Sequence, residues 1–169
     1  MRVYLGSDHA GFELKTHLVN HLIKQSYDVV DVGPHVFDPE DDYPAFCLAT
    51  GAKVVADPGT LGIVIGGSGN GEQIAANKVA GVRSALAWKV EIAQLARQHN
   101  DSNVLAIGAR EHTLDEATAM AEAFLTTDFT GEERHARRIA MLADYETSGD
   151  LPPLPESAVG QGPDSGPDA

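Results

Sequence analysis

The chain alternates between short apolar segments and longer segments of helical periodicity, and this alternation constrains the fold more than any other feature. Leu61–Ile65 (LGIVI) is apolar throughout, which is typical of a strand buried on both faces of a parallel sheet. In Gly11–Ser26, apolar residues recur at 3.6-residue spacing, which predicts a helix. Strands that alternate with helices favour a parallel sheet covered on both faces. The sequence therefore predicts an α/β domain, a Rossmann-like three-layer αβα fold with a five-stranded parallel sheet.

The predicted elements occupy residues 1–149. Strands are predicted over Arg2–Ser7, Asp28–Val32, Leu61–Ile65, Arg83–Trp88 and Val104–Ile107. Helices are predicted over Gly11–Ser26, Tyr43–Ala56, Lys89–Asn100, Thr113–Thr127 and Glu132–Tyr145, with another that opens at Gln73. The first helix is expected to bury Phe12, Leu14, Leu18, Val19, Leu22 and Ile23. Residues 150–169 contain five prolines, four acids and no Lys or Arg, so we predict a disordered tail there.

The net charge of −13 and a single cysteine limit the possible classes of protein. Such an acidic chain is not expected to bind nucleic acid, because phosphate backbones require a basic surface. Cys47 alone cannot form an intramolecular disulfide, and it lies in a helical pattern that predicts a core residue. We expect no signal peptide, because polar residues occur within the first seven positions. We also expect no membrane span, because no apolar run approaches the roughly 20 residues that a span needs. These features predict a cytoplasmic enzyme or a binder of small ligands.

A glycine-rich loop, GGSGNGE at 66–72, follows the third predicted strand. Its four glycines can turn several backbone N–H groups toward one point, where they could hold a phosphate or a developing oxyanion. The carboxylate of Glu72 would repel a phosphate there, so we interpret Glu72 as a base and the N–H groups as donors to an enolate. A tight turn would explain one or two of the glycines. The loop has neither a Walker lysine nor the G-x-G-x-x-G spacing, so nucleotide binding is not indicated.

Two further clusters carry functional side chains. Asp8 and His9 follow the first strand, where they suit acid/base chemistry or anion binding, although Asp8 is also a good helix cap. Arg134 and Arg138 are four residues apart and could clamp a phosphate together with Arg110. The alternative is a solvated helix face with its arginines paired to neighbouring glutamates.

A third candidate is weaker. His17 and His21 have the spacing of zinc ligands, but no third ligand lies near them in the sequence. We therefore do not predict a metal site on this helix.

The combined motifs resemble the type B ribose-5-phosphate isomerases, a family that also contains allose- and galactose-6-phosphate isomerases. They are GSDHAG at 6–11, DYP at 42–44, GGSGNGEQIAANK at 66–78, ARQHND at 96–101, IGAR at 107–110 and RHARR at 134–138. The resemblance covers about residues 1–147. Many members carry a cysteine base at the position of Gly66, whereas this sequence resembles the actinobacterial branch, in which a glutamate at the position of Glu72 moves the proton.

The resemblance implies an enzyme that interconverts ribose 5-phosphate and ribulose 5-phosphate through a cis-enediolate, in the non-oxidative pentose phosphate pathway. It implies Glu72 as the base, His99 as the residue that assists ring opening, and no metal or cofactor. The substrate-binding residues would be Asp8, His9, Tyr43, Gly67, Ser68, Gly69, Asn70, Gly71, Asn100, Arg110, Arg134 and Arg138. Two alternatives remain open: an isomerase that prefers a six-carbon substrate such as allose 6-phosphate, and a non-catalytic module that binds sugar phosphates or flavin.

The predicted position of His99 also bears on oligomeric state. The helix Lys89–Asn100 should return to the amino edge of the sheet, whereas Glu72 lies at the carboxyl edge. Strands of five or six residues separate these edges by about 17–20 Å. If His99 acts on the same sugar as Glu72, it must come from a second subunit, which predicts a homodimer with shared active sites or a tetramer built from such dimers. Alternatively, His99 only ends a helix, where a cation is mildly favoured.

Overall fold

One parallel sheet organises the chain. The structure, a computed structural model, describes residues 1–155. Within them the strands are β1 (Arg2–Ser7), β2 (Asp28–Gly33), β3 (Leu61–Gly66), β4 (Ser84–Leu86) and β5 (Val104–Gly108). All neighbouring strands are parallel, and their order is β2-β1-β3-β5-β4. The predicted five-stranded parallel sheet is therefore confirmed.

Helices cover both faces of this sheet. A 3₁₀ turn (His9–Gly11) precedes α1 (Phe12–Lys24), and the later helices are α2 (Tyr43–Ala56), α3 (Asn70–Ala76), α4 (Val90–Asn100), α5 (Leu114–Thr126) and α6 (Glu133–Ser148). One core packs the sheet against α1, α4 and α5, and the other packs it against α2 and α3. These two cores make the predicted three-layer fold.

Alternation along β1 shows how one strand serves both cores. Val3 and Leu5 are fully buried on the side of α1 and α5, and Tyr4 is buried on the side of α2. Cys47 is fully buried in the second core, which confirms its prediction as a core residue. Because both faces of the sheet are covered, only its strand ends remain open for chemistry.

Two residues of α1 depart from the predicted apolar face. Ile23 was expected in the core but is 54% exposed, whereas Lys15 is only 1% exposed. The Lys15 ammonium lies 2.7 and 2.6 Å from the two carboxylate oxygens of Asp31 at the end of β2. A buried lysine is tolerated here because it is paired with this carboxylate. A periodicity that counts lysine as polar cannot anticipate such a pair.

The predicted start of the helix at Gln73 is wrong, because α3 begins at Asn70. Gly69 adopts φ +81°, and its carbonyl accepts the first helical hydrogen bond, from Gln73 N–H. Glu72 therefore lies in the first turn of a helix and not in the loop. The predicted strand Arg83–Trp88 is also too long, since β4 ends at Leu86 and Trp88 is 60% exposed.

The end of the described chain differs from the rest in burial. Of the 16 residues of α6, only His135 is buried. Residues 150–155 form neither helix nor strand, and Leu151 and Leu154 are exposed. The remainder of the predicted tail lies outside the described residues. No helix in residues 1–155 is long and apolar enough to cross a membrane.

Candidate active site

The carboxyl ends of β1 and β3 form the centre of the candidate site. Asp8 is 7% exposed, and its backbone N–H donates to the Ile65 carbonyl at the end of β3 (3.3 Å). Its Oδ1 accepts a hydrogen bond from Gly11 N–H (3.0 Å), so Asp8 does cap the 3₁₀ turn. A side chain at Gly11 would overlap with Ile65, since its Cβ would lie 2.5 Å from the carbonyl oxygen. Glycine at this position therefore lets the loop lie directly against β3.

The glycine loop is fixed to the segment after β5. The carbonyls of Gly66 and Gly67 accept hydrogen bonds from Ala109 and Arg110 N–H at 2.8 and 3.0 Å. A Cβ at Gly69 would lie 2.5 Å from Leu86 Cδ1, and its φ of +81° is left-handed. The tight-turn interpretation thus explains Gly69 fully. These contacts restrain the loop, which is what a preorganised site needs.

Glu72 is a buried carboxylic acid beside this loop. It is 4% exposed, and its carboxylate fills the space that a side chain at Gly66 would occupy, because a Cβ built there overlaps with Oε1. Burial raises the pKa of Glu72, and the charge of Asp8 raises it further, while the backbone N–H groups of Glu72 and Gly69 oppose the rise. Such a carboxylate is more basic than an exposed one.

Cys47 borders the same acidic cluster from α2. Burial raises the pKa of its thiol far above the usual value, and the negative charges of Glu72 and Asp8 add to the rise. Because only a thiolate is a good nucleophile, Cys47 stays a neutral core residue beside the site.

Tyr43 and Arg110 border the loop from two sides. The Tyr43 ring packs on Gly71, where a Cβ would lie 2.7 Å from Cζ, and the Arg110 guanidinium lies beside Gly67, where a Cβ would lie 3.2 Å from Nη1. Asn70 is exposed and directs its amide toward Ser68 Oγ (3.3 Å). No carboxylate pairs with Arg110 within residues 1–155, so its guanidinium is free to bind an anion.

His9 lies at the edge of this group and is held by a residue of the β2–α2 loop. Its ring Nδ1 donates to Asp41 Oδ1 at 2.9 Å, and its backbone N–H donates to the same oxygen at 2.8 Å. The hydrogen bond to Asp41 raises the pKa of His9, with burial opposing this and the charge of Asp8 adding to it. The environment of His9 therefore favours the protonated form of its imidazole.

The other predicted residues lie elsewhere. The last turn of α4 returns to the amino edge of the sheet, where Arg83 Nε donates to the Asn100 carbonyl (3.0 Å). Arg97 and Asp101 line a cavity of about 360 Å³ together with Leu61 and Asn103, which stand at strand starts. His99 and Asn100 thus belong to the edge opposite Glu72.

The arginines of α6 lie on the helix that contacts His99 through His135. The rings of His99 and His135 stack with centroids 4.3 Å apart and planes 12° apart. Arg134 pairs with Glu132 at 2.8 Å, as the solvated-face alternative expected, while Arg138 has no ion pair in the described part of the chain. One protomer therefore holds the predicted residues in two separate groups.

Most of the chain is similar in sequence to known proteins. Residues 3–142 match the sequence profile of the family described as Ribose/Galactose Isomerase. The chain belongs to this family. Ribose-5-phosphate isomerase B of Mycolicibacterium paratuberculosis is 58% identical over 160 residues, which cover 95% of this chain and 100% of the relative. The protein of the same name from Mycobacterium tuberculosis is 56% identical over 155 residues, covering 92% and 96%.

A solved structure supports the same assignment. Ribose-5-phosphate isomerase B from Mycoplasma genitalium, with bound ribulose-5-phosphate, superposes with a TM-score of 0.83 at 42% identity. The alignment covers 87% of this chain and 97% of that one. The resemblance to type B ribose-5-phosphate isomerases that the motifs indicated is thus confirmed.

The sequence analysis of this ribose/galactose isomerase family member missed Asp41. It immediately precedes the DYP motif, but no local pattern links it to His9, which is 32 residues away. His17 and His21, which have the spacing of zinc ligands, face Thr118 and Glu122 on α5, at 2.9 and 2.7 Å. Among residues 1–155, no three His, Cys, Asp or Glu side chains are grouped so that they could hold a metal ion.

Proposed function

We propose that this chain is an aldose–ketose isomerase that interconverts ribose 5-phosphate and ribulose 5-phosphate, with Glu72 as the base. One observation carries the proposal: a buried carboxylate of raised pKa fills the space beside a fixed glycine loop, where a side chain at Gly66 would otherwise lie. The family places a cysteine base at that position in many of its members. Here glycine at 66 leaves the space, and Glu72 brings a base into it.

The reaction moves two protons within the substrate. Glu72 takes the proton from C2 of the open-chain aldose and returns it to C1, while the O2 hydroxyl proton moves to O1, so that no atom is gained or lost. The intermediate is a cis-enediolate, whose charge the N–H groups of the loop Gly67–Gly71 would stabilise at little reorganisation cost. A raised pKa suits Glu72, because a base is most effective when its pKa approaches the working pH.

The phosphate end of the substrate would be bound by guanidinium groups. Arg110 stands beside Gly67 with no carboxylate partner in residues 1–155, and Asp8, His9 and Tyr43 border the same space. Arg134 and Arg138 would complete the clamp from α6. Binding the remote phosphate would align the reacting carbons with Glu72.

We further propose that the active sites are shared between two protomers of a homodimer. His99, which would assist opening of the furanose ring, lies at the amino edge, and α6 carries the two arginines on the same side. Around α6, Leu142 and Tyr145 are 60% and 47% exposed and line a groove of about 580 Å³ beside β4. A second copy that covers this surface would bury it and bring its own His99, Arg134 and Arg138 to the neighbour's Glu72.

The proposal also covers the cellular location of the protein, the bounds of its catalytic domain and a second candidate substrate. The reaction belongs to the non-oxidative pentose phosphate pathway, which would place the protein in the cytoplasm. Residues 1–149 would form the catalytic domain and residues 150–169 an accessory tail. A six-carbon substrate is the second candidate, because the family description names galactose as well as ribose isomerases.

A turnover comparison tests the proposal. Purified protein is incubated with ribose 5-phosphate or allose 6-phosphate without an added cofactor, and ketose formation is followed. We expect a higher kcat/KM for ribose 5-phosphate. A preference for allose 6-phosphate would favour the second candidate. The absence of turnover on both substrates would favour a binding module, and a yellow preparation would identify flavin as its ligand.

A further inference from the structure

Asp41 holds His9 at two points with one oxygen. Its Oδ1 accepts from the His9 backbone N–H at 2.8 Å and from the ring Nδ1 at 2.9 Å. A residue bonded through both backbone and ring has its side-chain orientation fixed. The Asp41 carboxylate thus determines where the second ring nitrogen, Nε2, points.

The carboxylate of Asp41 is itself poorly solvated. Its side chain is 10% exposed, and within residues 1–155 its buried Oδ2 has no hydrogen-bond partner. A shielded negative charge of this kind is balanced most readily by a positive charge on the group it contacts. The neighbouring imidazole is that group, and it carries a positive charge when Nδ1 and Nε2 are both protonated.

The charged groups that face the His9 ring all favour its cationic form. Asp41 acts from the β2–α2 loop and Asp8 from the preceding position in the chain, and only the partial burial of the ring opposes them. The ring is 31% exposed, so its second nitrogen remains accessible. A fixed cation with one accessible N–H donor suits an anionic ligand.

We propose that Asp41 is a positioning residue, which orients His9 and holds it as a cation so that Nε2–H donates to the anionic sugar phosphate. This inference rests on the proposed function for the identity of the ligand, but the contact between Asp41 and His9 does not. Asp41 acts through His9 and would not itself touch the substrate.

The loop that carries Asp41 is anchored where it leaves β2. Asp31 accepts from Gly33 N–H (2.9 Å) and pairs with the buried Lys15 (2.6 Å), so the end of β2, where the loop begins, is held against α1. Near its end, Asp41 N–H donates to the Asp38 carbonyl at 3.3 Å. Asp41→Asn changes only a side chain and leaves these backbone hydrogen bonds in place, so it tests the contact with His9 directly.

The test is Asp41→Asn, with Asp38→Asn as the matched control. Asp38 lies in the same loop and is exposed, and its Oδ1 accepts from Glu40 N–H (3.0 Å), an interaction that asparagine can retain. His9 is titrated by NMR of its ring nitrogens in each protein, with His9→Gln used to assign the signals. We expect a lower His9 pKa in Asp41→Asn and an unchanged one in Asp38→Asn.

Kinetics then test the role in binding. We expect Asp41→Asn to raise KM about tenfold, with kcat changed less than about twofold, because a charge-assisted hydrogen bond to the ligand is weakened. The basic limb of the profile of kcat/KM against pH should move to lower pH. The double variant with His9→Gln and Asp41→Asn should have a KM little higher than that of His9→Gln alone, since both changes affect the same contact.

Each outcome has a distinct meaning. An ordinary His9 pKa in the wild-type protein overturns the proposal even if Asp41→Asn does not fold. If Asp41→Asn lowers the His9 pKa but leaves KM and the profile of kcat/KM against pH unchanged, the positioning role is overturned. If the wild-type protein turns over no sugar phosphate, the proposed function fails, and the NMR titration still decides whether Asp41 controls His9.

Discussion

The carboxyl edge of the sheet and the corner formed by α4 and α6 carry the two parts of the candidate site, and they are built differently. At the carboxyl edge, Asp8 and Glu72 are buried and the glycine loop is fixed by backbone hydrogen bonds. At the α4–α6 corner, the side chains of Arg134 and Arg137 are each 58% exposed and pair with glutamates two and four residues earlier in the chain. Exposed ion pairs of this kind add little stability.

This difference in burial between the two regions indicates which part of the site one chain can form alone. Packing of the sheet positions Glu72, whereas little within the protomer fixes the guanidinium groups of α6. Preorganised groups lower a reaction barrier, while mobile ones must first be ordered by a contact. A second protomer, which would supply that contact, is therefore part of the proposed active site.

The largest expected loss of activity comes from a substitution of Glu72, at the carboxyl edge of the sheet. Glu72→Gln keeps the size of the side chain but removes the base, so kcat for ribose 5-phosphate should fall by about 10²–10⁴-fold with little change in KM. Glu13→Gln, at an exposed position in the first turn of α1, is the matched control and should keep wild-type turnover. Turnover near that of the wild type in Glu72→Gln would show that another group moves the proton.

A smaller loss is expected from Gly66→Ala. The added methyl group would overlap with the Glu72 carboxylate and displace it, and a displacement of about 1 Å can cost roughly 10²-fold in rate. The diagnostic measurement is the kcat of the double variant with Glu72→Gln. It should match that of Glu72→Gln alone, because a displaced base and a missing base are the same defect. Additive losses would mean that Gly66 matters for another reason.

The shared site predicts that activity is recovered when two inactive variants are mixed. Glu72→Gln and His99→Ala are each expected to be nearly inactive, and they are mixed under conditions that allow subunit exchange. Half of the dimers would then be mixed, with one intact site each, so about a quarter of the wild-type activity should return. No recovery, with exchange verified by mass spectrometry, would contradict the shared site and remove the contrast between the two regions.

The sequence predicted best what depends on local pattern. Continuous apolar runs such as Leu61–Ile65 identify buried parallel strands, and the glycine loop is recognisable because its residues are contiguous. Contacts between distant segments were missed. Asp41 binds His9 across 32 residues, and Lys15 is buried only because Asp31 lies opposite. The start of α3 was misplaced because the left-handed turn at Gly69 is set by packing on β5.

The position of His99 was predicted from the direction of its helix and not from a local pattern. The direction of the predicted helix put it at the amino edge, and α4 does end there. The stacking of its ring on His135 had no sequence signal, because a histidine in a run of arginines looks solvated. Burial lowers the pKa of His135, and the neighbouring His99 and Arg134 lower it further, so this stack favours a neutral ring.

The smallest expected effect concerns stability and compares the same substitution in the two regions. The raised pKa of Glu72 means that the folded protein binds this proton more tightly than the unfolded chain. The buried charge therefore costs stability above the folded pKa, and the cost disappears as the pH falls below the unfolded value near 4.5.

Glu72→Gln removes the charge, so its Tm should exceed that of the wild type by on the order of 2–4 °C at pH 8 and equal it near pH 4. Glu133→Gln on α6, where the side chain is 87% exposed, should leave Tm unchanged at both pH values. Thermal unfolding followed by circular dichroism measures both differences. A lower Tm for Glu72→Gln at pH 8 would mean that the loop N–H groups stabilise the carboxylate more than burial destabilises it, and that the carboxyl edge resembles the exposed corner in storing no unfavourable charge.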